Sequence, residues 1–451
     1  MSKNPYLTSL RTGASFLPVE RRPLQRPLMS GDTGVINPLV RWSFYALVFS
    51  LAFEVGSGRE LPFEVPTLLA CIFLFIALIQ PRACFRPPPR AFWWFAIYVW
   101  LYITLIILEG FEHVEMAYKR VFYLVVLLLL FWVAYNLMRH EQIARTTLFL
   151  FGVSCAVLTA LHYLGFLSKA LNPHAADRAS VMGQNPANLA GILTVGLLAL
   201  VGLTYGSNRS ILRPRFLVWP LFAMIAFFIV STGSRGPLLA FVAGLSVFIL
   251  RRGNARLKLR NALIISAGVV MIIWFAFHSQ SLQQRFGASL ATGNLAGREQ
   301  IFPAAWQMFL EKPLLGWGPV SKNFEIQRRA RYPSVESRDP HNLILEVLTG
   351  TGLLGGIPIL LGTWLCVRAA WKARFGAHGV LPLAMLVATF LINMSMDWLY
   401  SKTYWLTLAY ALASGSPVLR KVIQRAAAAP SVRAGRLVLS SPRQREGPVL
   451  T

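Results

Sequence analysis

The sequence predicts an all-α polytopic membrane protein with about twelve transmembrane helices and a long, partly helical loop between the ninth and tenth spans. Of the 451 residues, 55% are hydrophobic and only 14% are charged, whereas a soluble domain of average composition carries about a quarter charged residues. The apolar residues are gathered into runs, most of them close to the roughly 20 residues that a helix needs to cross a bilayer. These observations predict a multi-span helical membrane protein.

The apolar runs fall into a group of nine and a group of three, separated by the long loop. The first group comprises 42–55, 65–80, 92–108, 121–138, 147–166, 187–205, 216–231, 237–250 and 262–278; the second comprises 354–367, 380–396 and 404–414. Several runs are short or contain Pro or Gly, so the span count is approximate. The predicted organisation is a disordered basic tail (1–37), nine spans (38–278), a large loop (279–353), three spans (354–416) and a second disordered basic tail (417–451).

Lys and Arg are distributed unequally between the two sides of this topology. If both termini share one side, that side holds 29 of the 44 Lys and Arg but only 4 of the 18 Asp and Glu. The positive-inside rule then places both termini in the cytoplasm and the loop 279–353 on the outer face, which is periplasmic in a cell with two membranes. The first forty residues lack the apolar core of a cleavable signal peptide, so the first span is expected to act as the anchor.

The basic balance and the cysteines exclude several other classes of protein. Topology and anionic lipid headgroups account for the net charge of +26, so membrane lipids are expected partners and nucleic acid is not. The four cysteines fall in predicted spans or a short cytoplasmic loop, which implies no disulfide framework. The sequence contains no CxxC or HExxH spacing, so no metal site is expected.

The first of four polar segments on the predicted outer face precedes the sixth span. Asp177-Arg178 is followed by Gly-Gln-Asn-Pro-Ala-Asn at 183–188. Arg178 is a candidate binding residue because the rest of this loop has little charge. Asn188 is a candidate supporting residue, although Asn and Pro in such a segment also fit a plain turn and helix start.

The second segment is the short connection Ser-Thr-Gly-Ser-Arg-Gly-Pro at 231–237, between two strongly apolar spans. A connection this short keeps Arg235 close to the membrane surface, and Gly236 allows the backbone to approach a ligand closely. A guanidinium is a planar, always charged donor that binds phosphate in a bidentate manner. Arg235, supported by Ser234, is therefore a candidate phosphate-binding residue; the alternative is an arginine that merely extends toward the interface.

The third segment, 297–310, has the apolar spacing of an amphipathic helix. Its apolar positions share one helical face: Ile301, Ala305, Met308 and Phe309. Such a helix could lie along the outer interface with Trp306 as an anchor. Most of these residues are expected to serve packing, so Arg298, at the start of the helix, is the functional candidate.

The fourth segment contains Arg338-Asp339-Pro340-His341-Asn342 and runs into an apolar stripe and then Thr-Gly-Thr-Gly at 349–352. The stripe predicts that His341 lies at a helix N-terminus, where the helix dipole lowers the pKa of an imidazole and favours its neutral form. A general base must be neutral to accept a proton. His341 is therefore the candidate base, with Arg338 and Asn342 beside it.

Together the motifs resemble the bacterial O-antigen ligase family. They are R-x₄-G-x-N-P-x-N from Arg178, S-R-G at 234–236, G-R-x₇-W with P-L-L-G-W-G, and H-N-L-x-L-E-x-L-x-G-T-G-L-L-G from His341. The resemblance is strongest over 178–356. The chain has Thr349-Gly350-Thr351 where many relatives have a carboxylate or Ala before the glycines, a difference expected to affect helix packing.

This resemblance implies a GT-C-like glycosyltransferase of the bacterial inner membrane, with its active site at the periplasmic face. Such an enzyme transfers O-antigen polysaccharide from undecaprenyl diphosphate to a sugar hydroxyl of the lipid A–core oligosaccharide during lipopolysaccharide biosynthesis, without a metal or cofactor and with inversion. His341 would be the base. The diphosphate would be bound by Arg235, Arg298, Arg178 and Arg338, with Asn342, Asn188, Ser234 and Gly236 in support.

Three alternatives remain open from the sequence. An O-antigen or exopolysaccharide polymerase uses the same lipid-linked donor and differs only in its acceptor. A protein O-oligosaccharyltransferase is expected to be longer, with an added C-terminal soluble part. A transporter of polyprenyl-linked sugars would need charged residues and broken helices at mid-membrane depth, whereas the polar motifs here gather on one face.

Overall fold

The computed structural model describes residues 35–54, 64–110, 114–167, 179–205, 218–250, 255–278, 297–330 and 338–416, together with residues 283 and 287. The chain divides into two compact units, residues 1–36 and residues 37–451. The helices and the candidate site described below lie in the second unit.

The described residues form helices and connecting turns, with no β-strand among them. In chain order the helices are α1 (Pro38–Ser50), α2 (Val65–Ala77), α3 (Pro81–Cys84), α4 (Arg90–Glu109), α5 (Val114–Met138), α6 (Glu141–Tyr163), α7 (Pro186–Tyr205), α8 (Val218–Ser231), α9 (Arg235–Val247), α10 (Ala255–His278), α11 (Arg298–Glu311), α12 (Ser321–Ala330), α13 (Leu343–Ala373), α14 (Leu381–Asn393) and α15 (Lys402–Ser414). Short 3₁₀ turns continue α1 and α9.

Each of the twelve predicted spans coincides with one of these helices, and α11 and α12 lie in the predicted long loop. Five helices, α4 to α7 and α13, are long and apolar enough to cross a membrane, and five others are apolar but shorter. The all-α, multi-pass membrane class is thereby confirmed. The number of spans remains a prediction.

Local sequence explains where many of these helices begin and end. Asn37 accepts a hydrogen bond from the Leu39 N–H (2.8 Å), and Pro38 occupies the first position of α1. Proline fits this position because its missing N–H would have no partner within the helix. As an example of a helix end, Gly110 ends α4 with a φ of 79°, a conformation that glycine adopts without strain.

The second half of the chain builds the centre of the helical unit. Helix α13 packs against α4 and α15, α14 against α9 and α7, and α15 against α5. Trp405 of α15 is completely buried between Phe95 of α4 (ring centroids 5.2 Å) and Phe131 of α5 (6.1 Å). These aromatic contacts join helices from both halves of the chain into one core.

Helices α11 and α12 form a helical hairpin with a small core of its own. The predicted apolar face of α11 is buried, and Ile301, Ala305 and Met308 pack against Ile326 and Ala330 of α12. Trp306 is half exposed on the opposite face.

Between these helices, Trp317 donates a hydrogen bond to the Met308 carbonyl (2.8 Å), and Lys312 and Arg329 lie over its ring at 3.9 and 4.8 Å from the centroid. These hydrogen-bond and cation–π contacts fix the connection between the two helices.

The turn 313–317 supplies hydrogen-bond partners at a break in α13. Gly352 interrupts that helix with φ 58° and ψ −158°. The Leu353 and Leu354 N–H groups donate instead to the carbonyls of Pro313 (2.8 Å) and Leu314 (3.1 Å), while the Trp317 N–H donates to the Thr349 carbonyl (2.7 Å). The two glycine-rich motifs of the sequence therefore fit one another through their backbones.

Gly352→Ala is expected to destabilise the protein by about 1–3 kcal/mol, since the backbone conformation there suits only glycine. A Cβ at this position would also collide with the Leu314 carbonyl group. Thermal unfolding of the purified protein in detergent measures the effect. Gly268→Ala in α10 is the matched control: its Cβ would meet open space, so unchanged or slightly higher stability is expected. Equal midpoints for the two variants would contradict this account of the break.

Candidate active site

A polar cavity of ≈ 160 Å³ brings together residues from all four predicted outer segments. Its lining consists of Asn185, Ala187, Ser234, Arg235, Gly236, Pro237, Arg298, His341, Ser395 and Met396. Arg235, Arg298 and His341 are separated by up to 106 positions in sequence yet share this cavity. It is the candidate active site.

Four helix N-termini meet at this cavity. Asn185 and Ala187 belong to the start of α7, Arg235 is the first residue of α9, Arg298 is the first residue of α11, and His341 directly precedes the N-cap of α13. The N-terminus of a helix carries a partial positive charge and N–H groups without partners inside the helix. Four such ends and two guanidinium groups favour an anion in the cavity.

Ser395 fixes the two arginine-bearing helices at this point. Arg298 donates a hydrogen bond from Nη2 to the Ser395 carbonyl (2.6 Å). On the other side, a Cβ at Gly236 would collide with the Ser395 side chain, so glycine is needed for α9 to approach this closely. The turn after α14 thereby holds the starts of α9 and α11 together.

His341 is largely buried and has a left-handed backbone with φ 50°. Burial lowers the pKa of its imidazole, the positive charges of Arg298 and Arg338 lower it further, and the Asp339 carboxylate opposes them. The direction agrees with the sequence-based expectation of a neutral imidazole. The principal physical cause is burial, because a charged imidazole loses hydration there.

Asp339, two residues before His341, is held by side chains of other elements. Its Oδ1 accepts hydrogen bonds from Asn323 Nδ2 (2.7 Å) and Arg120 Nη2 (3.3 Å). The neighbouring Lys322 forms an ion pair with Glu346 in which both side chains are 1% exposed. A polar cluster thus adjoins the segment of His341, in which Lys322 and Glu346 are buried while the Asp339 side chain is 43% exposed.

Three of the predicted site residues do not line the cavity. Asn342 is the N-cap of α13, accepting hydrogen bonds from the N–H groups of Ile344 (3.0 Å) and Leu345 (3.2 Å). Asn188 bonds to Glu54 (3.3 Å) and accepts a hydrogen bond from Trp398 (2.8 Å). Arg338 does not line the cavity and acts on His341 through its charge.

Arg178 lies outside the described residues, so its predicted role in diphosphate binding stays a prediction.

Some residues that line the cavity are not predicted by the sequence motifs. Ser395 and Met396 line the cavity but belong to no charged motif. The sequence feature that could have indicated them is Asp397, which follows them in a short polar interruption of an apolar region. Burial raises the pKa of this carboxyl well above its ordinary value, and nearby Glu346 and Asp339 add to the effect.

An apolar groove of ≈ 260 Å³ begins next to the cavity and follows the facing sides of α13 and α14. At the end nearest the cavity lie Leu343 and Met394, which directly follow the N-cap of α13 and directly precede Ser395. Farther along, its walls include Ile359, Leu360, Val367, Leu386, Val387 and Phe390. The polar cavity and the apolar groove therefore adjoin at residues 341–344 and 394–396.

Comparison with known proteins fits this arrangement. Residues 219–360 match the sequence profile described as O-antigen ligase. The chain carries the domain of the O-antigen ligase family. The matched segment extends from α8 into α13 and contains Arg235, Arg298, Arg338 and His341. Members of this ligase and polymerase family are glycosyltransferase-like enzymes that act on lipid-linked polysaccharides.

The chain is also similar to the teichuronic acid biosynthesis protein TuaE of Bacillus subtilis (strain 168), with 22% identity over 262 residues. That alignment covers 53% of this chain and 52% of the relative, so the chain spans about half of the relative's length. The similarity extends beyond the O-antigen ligase domain but is too low to transfer a substrate.

Among the described residues, no group of three or more His, Cys, Asp or Glu side chains is arranged to hold a metal ion.

The lowered pKa of His341 predicts the pH dependence of any reaction in which it is the base. Because burial lowers this pKa, the imidazole is expected to stay neutral to a lower pH than a free histidine, and the rate should fall only where the ring takes up a proton. Arg338→Gln removes a positive charge that lowers this pKa, so the fall should begin at higher pH. Rate–pH profiles of the two proteins test this, and coincident profiles would contradict it.

Proposed function

We propose that this protein is an O-antigen ligase. It would transfer O-antigen polysaccharide from undecaprenyl diphosphate to a sugar hydroxyl of the lipid A–core oligosaccharide at the periplasmic face of the inner membrane. The observation that carries the proposal is the cavity in which Arg235, Arg298 and His341 meet at four helix N-termini. The family match over 219–360 supports the class of reaction.

The cavity has what transfer from a lipid diphosphate requires. The glycan is activated by its bond to the diphosphate, and negative charge grows on the diphosphate as that bond breaks. Preorganised cations and N–H groups that face this charge lower the barrier without reorganising during the reaction. Arg235, Arg298 and the helix N-termini are proposed to fill this role, and Arg178 and Arg338 are proposed to extend the cationic surface.

His341 is proposed to accept the proton of the acceptor hydroxyl. The hydroxyl oxygen attacks the anomeric carbon and forms the new glycosidic bond, while the bond from that carbon to the diphosphate oxygen breaks. The electron pair leaves with undecaprenyl diphosphate, and the hydroxyl proton moves to the imidazole. A single in-line displacement of this kind inverts the anomeric centre.

The apolar groove supports a donor that carries a long hydrocarbon chain. It starts at Leu343 and Met394, beside the cavity, and follows two membrane helices. A diphosphate in the cavity would therefore have its polyprenyl chain within reach of an apolar path along α13 and α14. Because the bilayer is itself apolar, the chain would be held in such a groove by close packing contacts and not by transfer out of water.

The reaction is tested with purified protein, lipid-linked O-antigen donor and two alternative acceptors. His341→Ala is expected to lower the transfer rate by about 10²–10⁴-fold, the usual contribution of a general base. The control, His278→Ala, changes an exposed histidine at the end of α10 and should keep the full rate. Full activity of His341→Ala would refute the proposed mechanism.

The acceptors separate the ligase from the polymerase. A ligase should glycosylate lipid A–core, whereas a polymerase should extend a second lipid-linked glycan. Product on the glycan acceptor alone would replace the ligase assignment with the polymerase.

The groove is tested by Val387→Trp, which would fill it from α14. We expect the donor KM to rise about tenfold with an undecaprenyl donor, a loss of about 1.4 kcal/mol, since the indole would displace the chain from its packing contacts. The KM for a donor with a short prenyl chain should be the same in the variant as in the unmodified protein. Leu361→Trp, on α13 but outside the groove lining, is the control. An equal KM increase for both donors would reject the groove as the chain-binding site.

A further inference from the structure

We propose that Arg120 and Asn323 are positioning residues of the reaction, which hold His341 in place by fixing Asp339. This inference rests on the proposed function, in which His341 is the base. Neither residue lines the cavity, and neither belongs to a motif of the candidate site.

Asn323 of α12 binds the segment before His341 at two points. Its backbone carbonyl accepts a hydrogen bond from the Arg338 N–H (3.1 Å), and its side-chain Nδ2 donates to Asp339 Oδ1 (2.7 Å). One residue therefore holds both the main chain and the carboxylate of this segment. Because Asp339 is only two residues from His341, a shift of either contact would move the imidazole.

The amide of Asn323 is itself fixed by Lys322. Lys322 Nζ donates to Asn323 Oδ1 (3.0 Å) and forms the buried ion pair with Glu346. With its oxygen bonded to an ammonium group, the amide must present its NH₂ to Asp339. The orientation of Asn323 is thus set by a charge pair that also joins α12 to α13.

Arg120 of α5 holds Asp339 from the other side. Its Nη1 donates to the Pro319 carbonyl (2.6 Å) and its Nη2 to Asp339 Oδ1 (3.3 Å), and its side chain is 13% exposed. The guanidinium also lies 5.7 Å from the ring centroid of Tyr400, whose hydroxyl is 2.7 Å from that of Tyr102. A planar guanidinium with these contacts is restricted in both position and orientation.

The backbone of His341 explains why such support is needed. A φ of 50° is unusual for a residue with a side chain, and it persists only where the surroundings over-determine it. Asp339 is anchored on one side of His341, and Asn342 caps α13 on the other. Between these two fixed points the imidazole is directed into the cavity.

The same arrangement sets the charge around the imidazole. The charged groups that act on His341 are Asp339 and Arg338 on its own segment and Arg298 from α11, and Arg235 of α9 lines the same cavity. Asp339 is the group that favours the protonated ring, and Arg120 and Lys322 help keep its carboxyl ionised. Removing the Asp339 carboxylate should therefore lower the pKa of His341, making it a weaker base that stays neutral to lower pH.

Two variants test the inference by different readouts. Asn323→Ala should lower kcat about 10- to 100-fold with the donor KM unchanged, because a small displacement of a catalytic group has effects of this size. Asp339→Asn keeps the shape of the side chain and removes its charge, so the acidic fall of the rate–pH profile should move to lower pH. A purely structural role would not move that profile.

Arg120→Lys provides a second variant if Asn323→Ala does not fold. It keeps a positive charge near Asp339 but cannot replace the two guanidinium contacts, so a smaller fall in kcat is expected. Arg328→Gln is the matched control, since Arg328 lies on the same helix as Asn323 and is exposed at the surface. Its kinetics should equal those of the unmodified protein.

The outcomes separate this inference from the proposed function. If His341→Ala is inactive while Asn323→Ala, Asp339→Asn and Arg120→Lys keep normal kcat and pH profiles, the positioning role is overturned and the function stands. If His341→Ala is itself active, the proposed function fails. Reduced kcat in the positioning variants, together with the shifted profile of Asp339→Asn, supports the inference.

Discussion

The buried ion pair between Lys322 and Glu346 is the interaction on which the candidate site depends. Both side chains are 1% exposed, and removing either partner would leave a buried charge without compensation, which is typically destabilising by about 3–5 kcal/mol. The pair therefore compels α12 to stay on α13. Gly350 makes this contact possible, because a Cβ there would press against the stem of Lys322 at 3.0 Å.

Further contacts extend from this pair to the start of α12. Glu109, the last residue of α4, accepts hydrogen bonds from the N–H groups of Val320 and Ser321 at 3.3–3.4 Å. A carboxylate at this position satisfies N–H groups that have no partner inside the helix and complements the helix dipole. The helical hairpin is thus attached to the membrane helices at both α4 and α13, so that a segment between apolar spans becomes a rigid wall of the cavity.

The general fold and the segments that line the cavity could be predicted from the sequence because their signals are local. Apolar runs mark the helices, and Asn-Pro, Ser-Arg-Gly-Pro, Gly-Arg and His-Asn mark helix starts, each readable within a few residues. The residues that these segments contact elsewhere in the chain could not be predicted. Arg120 is 219 positions from Asp339, and Ser395 contributes a backbone carbonyl, which any residue could supply. The Asn188 side chain is likewise held by Trp398, which is 210 positions away.

The break at Gly352 has a consequence for how the protein is made in the membrane. The N–H groups of Leu353 and Leu354 bond to the carbonyls of Pro313 and Leu314, and an unpaired N–H group in hydrocarbon is costly. Helix α13 is therefore incomplete until the turn 313–317 packs against it. Folding must therefore follow an order: packing of the 313–317 turn against α13 comes first, final seating of α13 second, and formation of a working cavity last. A chain stalled during insertion would contain all of its apolar segments and still have no functional site.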